Sequence, residues 1–250
     1  MVRTLVLRVD GTNCDEETMH AFELVGSQVS LAHINEIIKG RVSLEDFQIL
    51  AIPGGFAHGD DVASGKILAN MIRYKLNRDM VKFIEGGKLV MGICNGFQAI
   101  VKAGLLPAFA GFGKQEATLA VNDSGYFIDR WVTLKHVNKG RCVFTKGMKS
   151  EIFVPVNHGE GKFVAPPEIL HRLEENDQVV FRYKDNPNGS MNDIAGICNT
   201  EGNVFGLMPH PEKFVTKYMH PYWTRTANLP EEGDGLAIFR NAVNYAKKKF

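Results

Sequence analysis

Lys88-Leu89-Val90-Met91-Gly92-Ile93-Cys94-Asn95-Gly96-Phe97-Gln98-Ala99 sets a cysteine between two glycines, directly after an apolar run and directly before an amphipathic one. This is how a chain builds a nucleophile elbow, a turn between a buried strand and a helix that holds its central residue in a strained backbone conformation. Only residues as small as Gly92 and Gly96 let the neighbouring backbone pass. The sulfur of Cys94 is then presented at the end of a sheet. The helix N-terminus beneath it, with unpaired N–H groups and a favourable dipole, favours thiolate over thiol. The alternative is a buried cysteine in an ordinary strand-to-helix turn.

The N-terminal half alternates β-rich runs with helical patterns. Thr4 to Val9 reads as a strand, Asp15 to Val25 as a helix stopped by Gly26, and Val29 to His33 as a second strand. Gln48 to Ile52 is nearly all apolar and opens into Pro53-Gly54-Gly55, as a central parallel strand does. A helical stretch then runs to Gly86-Gly87, where the elbow strand begins. This order predicts an α/β protein: an open, mainly parallel sheet with right-handed crossovers and helices on both faces. Ligands bind such sheets at the carboxyl ends of the strands.

From Thr118 the texture changes to strands and turns, with bends at Asn122-Asp123-Ser124-Gly125, Lys146-Gly147 and Asn186-Pro187-Asn188-Gly189. This half is expected to be mostly antiparallel. It ends in a strand pair, Asp193 to Cys198 and Val204 to Met208, and a final helix from Gly235 to Lys247. No linker or repeat divides the chain, so residues 1–250 are read as a single domain.

Composition narrows the class. With 250 residues, 44% hydrophobic, 23% charged and a net charge of +1, the chain has no electrostatic footprint for nucleic acid or anionic membrane. No apolar run approaches membrane-spanning length, so a soluble, cytoplasmic protein with a small ligand is expected. The four cysteines, Cys14, Cys94, Cys142 and Cys198, have neither metal-site spacing nor a disulfide pattern, and no metal is expected.

A cysteine nucleophile needs a base, and the base needs orienting. His210, in Met208-Pro209-His210-Pro211-Glu212, follows the apolar run Val204 to Met208 and so lies at the carboxyl end of a buried strand. The prolines bias Met208 and His210 toward extended conformations. In an extended segment His210 and Glu212 project to the same side, so Glu212 orients the imidazole. A proline-rich surface turn is the alternative.

Acyl transfer also needs donors for an oxyanion. The backbone N–H of Asn95 is one; the second is expected from Gly55 in the loop Pro53-Gly54-Gly55-Phe56, whose glycines permit close approach and let the peptide reorient. The alternative is a simple tight turn. Gln98, one helical turn past Cys94, is placed either to touch the substrate or as an ordinary polar helix residue. Gly196-Ile197-Cys198-Asn199 repeats the elbow's letters, but Thr200 replaces the second glycine and a hairpin follows, so Cys198 is not a nucleophile. Cys14, amid acidic residues, reads as structural or as part of a surface patch.

Gly92-Ile93-Cys94-Asn95-Gly96-Phe97-Gln98 together with Leu207-Met208-Pro209-His210-Pro211-Glu212 resembles the class I (triad) glutamine amidotransferases. Within that class the chain is similar to the glutaminase subunits of phosphoribosylformylglycinamidine synthases. The match extends through Gly11 to Asp15, Pro53 to Phe56, Gly59-Asp60, Arg130 to Leu134, His158 to Gly161 and Asn186 to Ser190. The resemblance implies a flavodoxin-like class I amidotransferase fold and a Cys94-His210-Glu212 triad that hydrolyses L-glutamine through a glutamyl thioester. It implies that Asn157, His158 and Gly159 hold the amino-acid end of glutamine; Gly55 and Asn95 are the expected oxyanion donors, with Gly54 and Gln98 as further expected substrate contacts. It further implies no cofactor in this chain. ATP and Mg²⁺ belong to a PurL-type synthetase subunit that takes the ammonia, with a small PurS-type accessory subunit, in purine biosynthesis. Another class I amidotransferase, a stand-alone cysteine amidohydrolase and a non-catalytic regulatory subunit are the competing readings. Departures from the family pattern are Asp10, Ala57-His58 and a long Tyr218 to Pro230 stretch.

Overall fold

The computed structural model describes residues 1–250. The strands are β1 (Arg3–Arg8), β2 (Gln28–His33), β3 (Ile49–Ile52), β4 (Leu89–Ile93), β5 (Thr118–Ala120), β6 (Ile128–His136), β7 (Glu151–His158), β8 (Lys162–Val164), β9 (Val179–Tyr183), β10 (Ile194–Cys198) and β11 (Val204–Leu207). The helices are α1 (Asp15–Leu24), α2 (Ile34–Ile38), α3 (Lys66–Lys75), α4 (Asn77–Glu85), α5 (Asn95–Lys102), α6 (Pro167–Glu175) and α7 (Leu236–Lys249).

Nine strands form one mixed sheet in the order β2-β1-β3-β4-β11-β10-β9-β6-β7, and β5 pairs with β8 separately. The β2-β1-β3-β4 portion is parallel, and β11 extends it, running parallel to β4 with Gly206 opposite Gly92 and Leu207 opposite Ile93. Beyond β11 every pairing is antiparallel. The near-continuous apolar runs of β3, β4 and β11 are buried throughout, as expected of strands covered on both faces. Helices α1 and α7 pack together, while α3 packs against α4 and α5.

The stretch read as one helix up to Gly86-Gly87 is two, α3 and α4, meeting at Leu76, whose φ of −117° departs from helical geometry. More consequential is α5. Its sequence reads as amphipathic, yet every residue from Asn95 to Lys102 is buried, including the lysine. The helix is enclosed by β4, β11, α3 and β5, so the polar residues on its outer face have to find partners inside the protein. Strand β7 lies at the edge of the sheet, yet the Pro155 carbonyl accepts a hydrogen bond from His210 N at 2.8 Å. The antiparallel extension therefore bends back over the carboxyl ends of β4 and β11. The Tyr218 to Pro230 stretch lies within a surface excursion closed by Lys217 N donating to Glu231 O at 3.0 Å. No helix is long and apolar enough to cross a membrane.

Candidate active site

Cys94 follows β4 and caps α5 at φ 51°, ψ −106°, a strained conformation for a residue with a side chain. The strain is held by close packing. A Cβ built on Gly96 would stand 1.9 Å from the Ile52 carbonyl oxygen, so only glycine lets α5 start this close to β3. Cys94 N donates to Leu207 O at 2.8 Å, fixing the elbow to the neighbouring strand. Its Sγ points to the Asn157 carbonyl at 3.5 Å.

Three residues past β11, His210 is buried, and its Nδ1 lies 2.6 Å from Oε1 of the fully buried Glu212. The two side chains meet by a route the sequence did not indicate. His210 is extended at φ −104°, ψ 90°, but Pro211–Lys213 form a 3₁₀ turn, which brings the carboxylate back beneath the ring. Burial opposes the imidazolium, but the charges of Glu212 and Cys94 outweigh it and hold the His210 pKa well above the ordinary range. Nε2 of His210 and Oε2 of Glu212 are buried without partners. An unpartnered imidazole nitrogen beside a strained thiol is the arrangement a proton shuttle requires.

The Gly55 peptide follows β3, with φ 143°, and is clamped against the segment Gly11–Asn13. Asn13 N donates to Gly54 O at 3.4 Å, and Phe56 N donates to Gly11 O at 2.8 Å. Gly55 N itself donates to no backbone carbonyl. Asn95 N, at the first position of α5, has no intrahelical acceptor. Two consecutive glycines alone would leave this loop free to reorient, but its backbone bonds to the Gly11-Thr12-Asn13 strip hold it in place.

Other residues singled out from sequence fall around this centre in different capacities. The Gln98 amide donates to Glu160 O at 2.6 Å and accepts from Asn95 Nδ2 at 2.9 Å. Asn95 Nδ2 also donates to Asp60 Oδ1 at 2.8 Å, and its Oδ1 accepts from Ala57 N at 3.0 Å. These amides bind the elbow helix to the loops on either side. Asn157 offers its carbonyl to Cys94, while its side chain is held by Asp129 and by Lys213 Nζ at 3.0 Å. His158 is buried between Asn122 and Asn188, and the Gly159 carbonyl accepts from Asn122 N at 3.0 Å.

With this geometry in hand, the sequence matches the CobB/CobQ-like glutamine amidotransferase domain over residues 1–246. The chain belongs to this glutamine amidotransferase family. The amidotransferase is 48% identical to phosphoribosylformylglycinamidine synthase subunit PurQ of Dehalococcoides mccartyi, across 99% of this chain and 98% of that protein. It is 40% identical to the protein of the same description from Archaeoglobus fulgidus, across 99% and 98%. Among solved structures, a chain of PurLQS from Thermotoga maritima matches with a TM-score of 0.78 and 34% identity, covering 98% of each chain. A glutamine amidotransferase from Thermotoga maritima, at 17% identity and a TM-score of 0.59 over 98% and 97% of the two chains, shares the fold.

Sequence reading missed several residues that hold the amidotransferase site together. Cys14 is not on a surface patch: it is buried, with Sγ 4.0 Å from Nδ1 of His210. Lys102 is buried and donates to Ser64 O at 2.6 Å, with Glu160 Oε2 at 3.6 Å. Burial lowers its pKa, and Glu160 works in the opposite direction. Asp60 accepts from Ser64 Oγ at 2.9 Å and Gly65 N at 3.2 Å, besides Asn95. The signal for Asp60 and Glu160 lay in the Gly59-Asp60 and His158-Gly159-Glu160-Gly161 segments; Lys102 carried none.

Proposed function

We propose that this chain is the glutaminase subunit of a phosphoribosylformylglycinamidine synthase and that Cys94, His210 and Glu212 carry out its chemistry. The observation supporting it is a strained elbow thiol held in strand register beside a buried imidazole that already has its orienting carboxylate. Cys94 attacks the carboxamide carbon of glutamine, and the oxyanion that develops is received by the N–H groups of Asn95 and Gly55. His210 protonates the departing ammonia, and water, deprotonated by the same imidazole, releases glutamate from the thioester. Glu212 fixes the ring and stabilises its charged form. Gly54, Asn157, His158 and Gly159 shape the glutamine pocket, with Gln98 acting through the hydrogen bonds that hold the elbow helix.

The chain itself carries no cofactor in this scheme. Its likeness to PurQ proteins and to a chain of the PurLQS structure supports delivery of ammonia to a PurL-type, ATP- and Mg²⁺-dependent synthetase, with a PurS-type subunit completing the assembly. The test is Cys94→Ser in the reconstituted complex. Glutamine-dependent amidation should vanish while ammonia-dependent amidation persists. Loss of both would make Cys94 structural, and survival of the glutamine reaction would remove it from the chemistry.

A further inference from the structure

Cys14 is a buried thiol beside the triad for which the reaction has no use. It stands at the N-terminus of α1, its amide donates to Gly54 O at 3.3 Å, and its Sγ lies 3.3 Å from Asn13 Oδ1 and 4.0 Å from Nδ1 of His210. Gly54 and the edge of the His210 ring separate it from the nucleophile. A Cβ on Gly54 would lie 3.4 Å from the Cys14 sulfur, 3.3 Å from Cys94 Cβ and 2.7 Å from His210 Cε1. The two cysteines and the His210 ring edge thus border one point in space, which glycine leaves open. Each sits at a junction leading into a helix, on a single rotatable Cα–Cβ bond. A disulfide asks for a Cβ–Cβ separation of about 3.5–4.5 Å, which the pair reaches when the Cys14 sulfur closes past the His210 ring edge toward Cys94.

We propose that Cys14 is a resolving thiol for Cys94: when a hydroperoxide oxidises the nucleophile, Cys14 captures it as an intramolecular disulfide. This switches glutamine hydrolysis off and protects the thiol from irreversible loss. The inference rests on Cys94 being the nucleophile. In the first step the Cys94 thiolate attacks the peroxide oxygen, the O–O bond breaks, and the alkoxide or hydroxide leaves with a proton. Cys94 is now a sulfenic acid. Cys14 sulfur then attacks Cys94 sulfur, the S–O bond breaks, and hydroxide departs with the Cys14 proton as water. The thiol pair loses two electrons and the peroxide gains them.

The other buried pair, Cys142 and Cys198, is the internal contrast. Hydrogen bonding with Cys142, followed by burial, pushes the Cys198 thiol up, which denies a peroxide the thiolate it needs.

The reduced full-length chain is treated with hydrogen peroxide, the remaining thiols are blocked, and the non-reduced digest is analysed by mass spectrometry. Reactive Cys94 is followed in parallel by labelling with an electrophilic glutamine analogue. A Cys14–Cys94 linked peptide pair should appear, labelling should be lost, and a thiol reductant should restore it nearly completely. In Cys14→Ala and Cys14→Ser, peroxide should abolish labelling and reductant should recover little of it, because the sulfenic acid goes on to sulfinic acid. Each variant is scored against its own untreated sample, and the wild-type cross-link decides the matter should both variants fold poorly. Loss of wild-type labelling without the linked peptides, or equal recovery in the Cys14 variants, would overturn the proposal. Failure of the analogue to label reduced Cys94 would instead defeat the nucleophile assignment.

Discussion

Acidification should destabilise the fold through His158, and its surroundings give the size of the effect. The ring is 3% exposed, with Nδ1 facing Asn122 Oδ1 at 3.1 Å and Nε2 facing Asn188 Nδ2 at 3.4 Å. Asn122 Oδ1 also accepts from Gly161 N at 2.9 Å, and Asn122 Nδ2 donates to the carbonyls of Tyr126 and His158, so the orientation of this amide is set by the network. Nδ1 then carries the proton and Nε2 accepts. A second proton would turn a donor toward the Asn188 amide in a buried site.

Burial, reinforced by the charge of nearby His210, lowers the pKa of His158 from 6.5 to about 4. The unfolded chain binds this proton below its ordinary pKa and the folded chain only below the depressed one. The contribution is therefore complete above about pH 6.5, declines on the way down, and is lost near pH 4. At 1.36 kcal/mol per pKa unit this amounts to roughly 3 kcal/mol, or about 6–12 °C in Tm for a chain of this length. Denaturant unfolding of wild type and His158→Gln at about pH 7.5 and about pH 4 checks it, since the background carboxylates cancel in the difference. Wild type should lose roughly 3 kcal/mol more than the non-titrating variant. Parallel losses would refute the reasoning.

His210→Ala should reduce glutamine-dependent activity of the complex about 10²- to 10⁴-fold, and Glu212→Gln by less. Because the Glu212 charge raises the His210 pKa, the Glu212→Gln pH–activity profile should move toward acid; an unmoved profile would deny the coupling. Gly96→Ala forces a Cβ to within 1.9 Å of the Ile52 carbonyl and should cost about 3 kcal/mol or more, read as a lowered Tm together with lost labelling of Cys94. Unchanged values of both would contradict the elbow packing. Lys102→Met removes the bond to Ser64 O and should cost about 1–3 kcal/mol while increasing hydrogen exchange in residues 60–65. An unchanged exchange pattern would separate Lys102 from that loop.

The central parallel strands β3 and β4 were legible because they are short, wholly buried apolar runs that open directly into glycine-bearing turns, a pattern with little competition from other structures. The elbow was legible because Gly92 and Gly96 leave few other uses for the cysteine between them. His210 and Glu212 were found together, but for a partly mistaken reason: the extended backbone expected from the prolines stops at His210, and a 3₁₀ turn completes the approach. What escaped was everything decided by contact across long sequence separations. Cys14 looked peripheral because its neighbours in the chain are acidic, while its neighbours in space are Gly54 and His210. Lys102 drew no notice because periodicity does not disclose that α5 is buried along its whole length. The freedom assigned to Gly55 ignored Gly11-Thr12-Asn13, a segment whose likeness to the family says nothing of its pairing with this loop, which it sets through backbone bonds.

The pairing of β4 with β11, Gly92 opposite Gly206, also dictates when a growing chain acquires reactivity. A nascent polypeptide completes its thiol and its glycine loop early, with the first half of the sheet, but the imidazole and its carboxylate emerge only after β11. That strand must then insert between β4 and β10, parallel to one and antiparallel to the other. Until it does, no stretch of the backbone holds Cys94 and His210 within reach of each other. Hydrolytic competence therefore waits for closure of the sheet, and a chain that ends before β11 lacks the imidazole and carboxylate the thiol needs.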